Sequence, residues 1–146
     1  MVNKNLFQSS LICGFIQSLF LYMHKLPPFF IFIVSCGICG SVLNHGYTNS
    51  YFKFFDRAVM TIGFVINGLY INTFMYDSPD YVLTWCTMVG AVLLYLFSKF
   101  LKKMDIANLA ITDVIHMMAH GLLTFLHMLL SIHLNNKCNK NHILCY

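Results

Sequence analysis

His45, Asp56 and the pair His116/His120 are ionisable or metal-binding groups at the edges of apolar segments long enough to cross a bilayer. Such groups are costly in hydrocarbon, so their default reading is functional. Ser41 precedes His45 by one helical turn, and His116-Met-Met-Ala-His120 repeats that i,i+4 spacing later in the chain. Residues four apart lie ~40° from each other around a helix, so one cation can meet both rings of the later pair. Three neutral imidazoles with a fourth position open is the donor set of a catalytic zinc ion, Zn²⁺, rather than of a closed structural site. Zinc lowers the pKa of a bound water towards ~7 and supplies hydroxide at neutral pH. Asp56 is placed to orient that water and take its proton, and Ser41 to hydrogen-bond the water or the developing oxyanion.

All five acidic residues are aspartates. The HExxH metalloprotease pattern is thereby excluded, because its base is a glutamate.

The elements that must position these groups are membrane helices. Of the 146 residues, 58% are hydrophobic and only 10% charged, outside the soluble globular range. The apolar residues fall in blocks of roughly the length that spans ~30 Å of hydrocarbon at ~1.5 Å per residue. The pattern predicts an all-α, polytopic transmembrane bundle, a single domain over 1–134. Its five spans lie at about 6–23, 28–45, 56–76, 81–98 and 113–133, followed by a polar tail, 135–146. Residues 46–55 read as a polar-aromatic loop and 104–112 as an interfacial stretch. Pro27-Pro28 suits a helix start, Gly46 a helix stop, and Asp77-Ser78-Pro79-Asp80 a tight turn. The first block reads as a start anchor, since no small-residue cleavage site follows it.

Five alternating spans place His45, Asp56, His116 and His120 near the same membrane face. That face also carries Lys4, Lys53, Arg57, Lys99, Lys102 and Lys103, against Lys25, Lys137 and Lys140 on the other. The bias predicts a cytoplasmic N-terminus and a cytoplasm-facing site. The net charge of +4 is spread singly between apolar blocks, with no patch and no interleaved aromatics, so no nucleic-acid partner is indicated.

Each residue has a blander reading. An isolated histidine at a span end is an interfacial residue, Asp56 beside Arg57 a helix cap with a basic anchor, and Ser41 a small packing residue. Asp113 reads as an N-cap or a support for a ligand ring. His127 shares the stripe of His116 and His120, as a cavity residue, a packed histidine or a haem ligand. His24, His133 and His142 receive no role. Cys36-Gly-Ile-Cys39 has a metal or redox spacing inside an apolar helix, where close helix packing is the simpler account. Cys138 and Cys145 can pair if the tail meets an oxidising compartment.

Ser41-Val-Leu-Asn-His45, then Asp56, then His116-Met-Met-Ala-His120 resembles the pattern of the alkaline ceramidase, adiponectin/progestin receptor and haemolysin-III-like superfamily of membrane hydrolases. The gap from His45 to Asp56 is similar to the ceramidase branch. The resemblance implies a seven-helix bundle with zinc held by His45, His116 and His120, and a water handled by Asp56 and Ser41. It also implies hydrolysis of a lipid amide such as ceramide. The residues do not set the organelle; an endomembrane such as the endoplasmic reticulum or Golgi is compatible with them. Here two helices are missing between Asp56 and His116. Losing an even number keeps the final motif on its face, but leaves the site either open to the bilayer or closed by a second copy in a homo-oligomer. A small haem-binding subunit, pairing His45 or His24 with His116, His120 or His127, and a non-enzymatic receptor-like or scaffold protein are the alternative functions.

Overall fold

A computed structural model describes residues 3–104 and 108–140, excepting the side chain of Leu109. Within them are five helices: α1 (Lys4–Met23), α2 (Pro28–Gly46), α3 (Ser50–Phe74), α4 (Tyr81–Met104) and α5 (Leu109–Lys140). All five are long and apolar enough to cross a membrane. The protein is a multi-pass, all-α membrane bundle.

Its exterior is apolar, and its interior carries polar groups beside an apolar core. Phe15, Phe32, Ile62, Val82 and Leu93 face outward, while Gln17, Asp56, Asn67, His116 and His127 are buried. Apolar side chains suit a lipid-facing surface, and polar groups avoid hydrocarbon by turning towards one another.

Local chemistry sets the helix ends. The Asn3 side chain accepts from the Leu6 amide at 3.2 Å and caps α1, and Pro28 occupies the first turn of α2. Asn49 caps α3 by accepting from the Tyr51 amide at 2.9 Å. The α2–α3 connection is therefore residues 47–49, not 46–55, and α3 begins at Ser50, not 56. Asp56 sits inside the helix, which removes its reading as a cap. Residues 51–55, aromatic except for Lys53, extend the helix because the Asn49 side chain already satisfies an amide of its first turn.

α5 differs in the same way. Asn108 Oδ1 accepts from the Ala110 amide, so the helix starts at Leu109 and not at 113. Asp113 is interior and accepts from Asn3 Nδ2 at 2.8 Å, tying α1 to α5 rather than capping a helix or supporting a ring. At its other end α5 runs to Lys140, past 133 and through the first residues of the polar tail. Asn135 Oδ1 accepts from the Lys25 amide at 2.9 Å and Cys138 is buried, so packing continues beyond the apolar run. α4 likewise runs to Met104 instead of 98, while α3 stops at Phe74 rather than 76. Cys145 and His142 lie outside the described residues, as does any Cys138–Cys145 bridge. Cys36 and Cys39 are free, and Cys39 is exposed, so it does not serve close helix packing.

Around the bundle the helices run α4–α5–α1–α2–α3, each packed closely on the next, while α3 and α4 meet only loosely. Close approach depends on small residues. A Cβ on Gly14 would fall 2.7 Å from Ile38 Cγ2, and one on Gly40 would fall 3.3 Å from the Cα of Asp56. The half of the bundle remote from His45 is filled by Leu26, Phe30, Val34, Ile71, Met88 and Leu126 with their neighbours. That plug leaves the polar chemistry in the opposite half.

Candidate metal centre

His45 closes α2, and His116 and His120 stand one turn apart on α5. The three rings meet. Their centroids lie 5.2 Å (His45–His116), 5.4 Å (His45–His120) and 4.9 Å (His116–His120) apart. One nitrogen from each falls within 4.8 Å of the others, so the group is able to hold a metal ion. Three atoms 4.8 Å apart are 4.8/√3, about 2.8 Å, from a common centre, against ~2.0–2.1 Å for a zinc–imidazole bond. Less than about an ångström of inward movement per ring separates the two geometries.

Serines orient two of the rings. Ser98 Oγ donates to the Tyr95 carbonyl at 2.7 Å and sits 3.4 Å from His116 Nδ1. With the serine proton committed, Nδ1–H of His116 is the donor and Nε2 keeps its lone pair. Ser9 Oγ lies 3.2 Å from Nδ1 of His120, so that ring too is held at Nδ1 by a serine. Partners on the remote ring nitrogen are the usual support of a metal-bound histidine.

Asp56, on α3, is buried, and its Oδ2 accepts from Asn44 Nδ2 at 2.6 Å. Asn44 is the residue before His45, so this bond links the carboxylate to the end of α2 that carries the ring. Ser41 has its proton already engaged. Ser10 Oγ donates to the Leu6 carbonyl at 2.9 Å, so Ser41 is the donor in its 3.1 Å contact with Ser10. Ser41 therefore presents lone pairs.

No protein-family model, curated protein or solved structure matches the chain. The chemistry of the site rests on its own geometry.

Two spaces of opposite character meet at the histidines. Towards the basic end, a vestibule of about 350 Å³ is lined by Asn44, His45, Lys53, Arg57, Lys99 and Lys102. Towards the bundle centre, His120 opens on a narrow apolar cavity of about 70 Å³, lined by Met60, Phe64, Val92 and Leu123. Tyr95 borders both, with its ring 5.2 Å from that of His116 and under the Lys99 ammonium at 5.3 Å.

At the deep end of the apolar cavity lies a buried hydrogen-bonded chain that includes His127. Thr124 Oγ1 donates to the His120 carbonyl, so Gln17 Nε2 donates to Thr124 at 2.8 Å. Gln17 Oε1 then faces His127 Nδ1 at 2.9 Å, and Asn67 Nδ2 lies 3.2 Å from His127 Nε2. The directions fix His127 as the Nδ1–H tautomer. Asn67 Oδ1 ends the chain without a partner among the described residues. His127 is thus a cavity residue locked by side chains of α1 and α3, not a fourth member of the triad. His133 Nε2 donates to the Phe74 carbonyl at 2.7 Å and His24 Nδ1 to the Phe20 carbonyl at 2.8 Å, so both serve helix ends remote from the site.

The spacing of the sequence did not single out Asn44, Ser98, Ser9 or Tyr95. Tyr95 had one available signal: it stands one turn before Lys99, at the basic end of α4.

Proposed function

We propose that this chain is a zinc-dependent integral-membrane hydrolase that cleaves a lipid amide, ceramide-like in its chemistry. The observation that carries the reading is the meeting of three histidines from α2 and α5 between a polar vestibule and an apolar cavity. An amphiphile lying across that junction places its polar–apolar linkage, where an amide sits, beside the histidines. The donor set suits zinc, with His45, His116 and His120 as ligands. When bound, zinc supplies Lewis acidity and activates water at neutral pH.

The chain's own residues supply the rest. Asp56, steadied by Asn44, is the base that receives the proton lost by the attacking water. It returns that proton to the amine as it leaves, so the carboxylate is regenerated with each cleavage. Ser41 orients the water by accepting from it. The tyrosine hydroxyl of residue 95 is the side-chain donor nearest in kind to an oxyanion partner at this wall. Ser98 and Ser9 hold ring orientation.

The distribution of basic residues supports a cytosol-facing site in a multi-pass protein. A haem held between members of the triad fits less well: histidine rings 4.9–5.4 Å apart leave no room for a macrocycle between them. The decisive experiment combines metal analysis with lipid turnover. The purified full chain is expected to carry about one zinc, with His116→Ala/His120→Ala losing both metal and N-acyl lipid hydrolysis. A carefully prepared wild type with no metal, or with metal but no turnover of any acyl lipid, overturns the reading.

A further inference from the structure

The loose contact between α3 and α4 is an apolar groove of about 560 Å³, lined by Met60, Thr61, Phe64, Val92 and Leu96. Met60, Phe64, Val92 and Tyr95 also line the cavity beneath the histidines. The groove and that cavity therefore share a wall, and the seam lies beside the cavity that His120 lines. At its basic end the groove is bounded by Arg57 and Lys99, which also line the vestibule with Lys53 and Lys102.

Four cations from two helices thus converge on one concavity at the mouth of an apolar slot. Lys99 is repelled by Lys102, Arg57 and Lys53, and Asp56 is the acid that attracts it. That carboxylate already accepts from Asn44. A cluster of like charges around a cavity with one engaged acid is complementary to an anion. The apolar slot continuing from it is complementary to an acyl chain.

We propose that the α3–α4 seam admits a lipid with an anionic head, Lys53, Arg57, Lys99 and Lys102 holding the anion while the chain lies along Met60, Phe64 and Val92. This deepens the hydrolase reading, on which it rests for its catalytic meaning. The substrate class becomes a lipid amide whose head carries a phosphate or similar anion, rather than a neutral ceramide. Phosphate chemistry is available from a headgroup or from free phosphate. The slot commits the proposal to the headgroup.

A basic membrane face attracts any anionic lipid, and the test must separate that general field from a built pocket. The full chain, purified in a neutral maltoside detergent, is titrated with dioleoyl phosphatidate, with dioleoyl phosphatidylcholine and with inorganic phosphate. Phosphatidate is expected to bind at least roughly tenfold more tightly than phosphatidylcholine, and Lys99→Gln/Lys102→Gln to lose roughly fivefold per cation removed. Lys4→Gln/Lys103→Gln removes the same number of charges from the same face, outside the cavity, and is expected to bind like wild type. Thr61→Trp, at an exposed position in the groove, is expected to weaken binding of both lipids.

Equal affinity for the two lipids overturns the proposal, as does equal loss in the two lysine pairs. Inorganic phosphate binding as tightly as phosphatidate, or a Thr61→Trp chain that binds lipid normally, removes the lipid from the site. Binding is read without turnover and is repeated in His116→Ala/His120→Ala. A hydrolase acting on neutral lipids and an anion-binding protein without hydrolysis are therefore separate outcomes.

Discussion

Ser98 gives its hydroxyl proton to the carbonyl of Tyr95 at 2.7 Å and receives one from Nδ1 of His116 at 3.4 Å. The relationship fixes which nitrogen of a buried ring is left with its lone pair. A neutral histidine with Nδ1 protonated must present Nε2 as its lone pair. Ser98→Ala removes the acceptor and lets the ring adopt either tautomer. Metal affinity is expected to fall ~10–100-fold, the range for losing such a partner. Titration with a competing zinc chelator measures it. An unchanged affinity makes Ser98 only a packing residue of α4.

Asp56 and Asn44 give a second outcome. Asp56→Asn keeps an oxygen able to accept from Asn44 Nδ2, so the α2–α3 contact persists. The variant is expected to retain zinc and to lose ~10²–10⁴-fold in turnover, the contribution of a positioned general base. Metal content and rate are measured on the same preparation. Parallel loss of metal would make Asp56 a ligand or a structural support instead.

The histidine triad was legible in the sequence because two independent regularities coincide on it. The i,i+4 spacing puts His116 and His120 on one stripe, and the alternation of apolar blocks brings His45 to the same end. Both survive errors of several residues in helix boundaries. Asp56 shows this, since α3 begins at Ser50 and the residue still reaches the site half of the bundle. Partners such as Asn44, Ser98 and Ser9 were not legible, because hydropathy counts blocks and does not set how each helix rotates. Asp113 was misread for a local reason. The apolar residues Leu109, Ala110 and Ile111 hide a start that only the Asn108 cap reveals. The α3–α4 seam depends on packing alone, and no local pattern announces it.

The chain from Thr124 through Gln17 and His127 to Asn67 predicts a non-additive response. His127→Phe strands Gln17 Oε1 and Asn67 Nδ2, each a buried group whose lost partner costs about 1–3 kcal/mol. Gln17→Leu alone strands His127 Nδ1. The double variant removes both ends of one bond and is expected to lose less than the sum of the two. Bonds between membrane helices average only about 0.6 kcal/mol net in such cycles, so stranded groups dominate the single variants. Thermal unfolding in one detergent gives the comparison. Strict additivity would show that the contact does not form. ¹⁵N spectra of labelled wild type are expected to show His127 as the Nδ1–H tautomer.

Gly40 supplies a prediction about placement rather than chemistry. Its missing side chain lets α2 approach α3 where Asp56 is anchored, with Asp56 Cα at 3.3 Å from a built Cβ. That contact is with backbone, which has no rotamer to change, so a side chain there moves a helix. Gly40→Ala requires a few tenths of an ångström, and Gly40→Val considerably more, on the face carrying Ser41, Asn44 and His45. Misplacement of about 1 Å is enough to cost ~10²-fold in a rate that depends on alignment. The valine variant is therefore expected to lose hydrolysis by about that factor, with the alanine variant between it and wild type. Metal affinity should fall less than the rate, because two of the three ligands, His116 and His120, stand on α5, and only His45 moves with α2. Rates and zinc affinities of the three chains test the ordering. Full activity in Gly40→Val would mean that the α2–α3 approach is not what places Asp56.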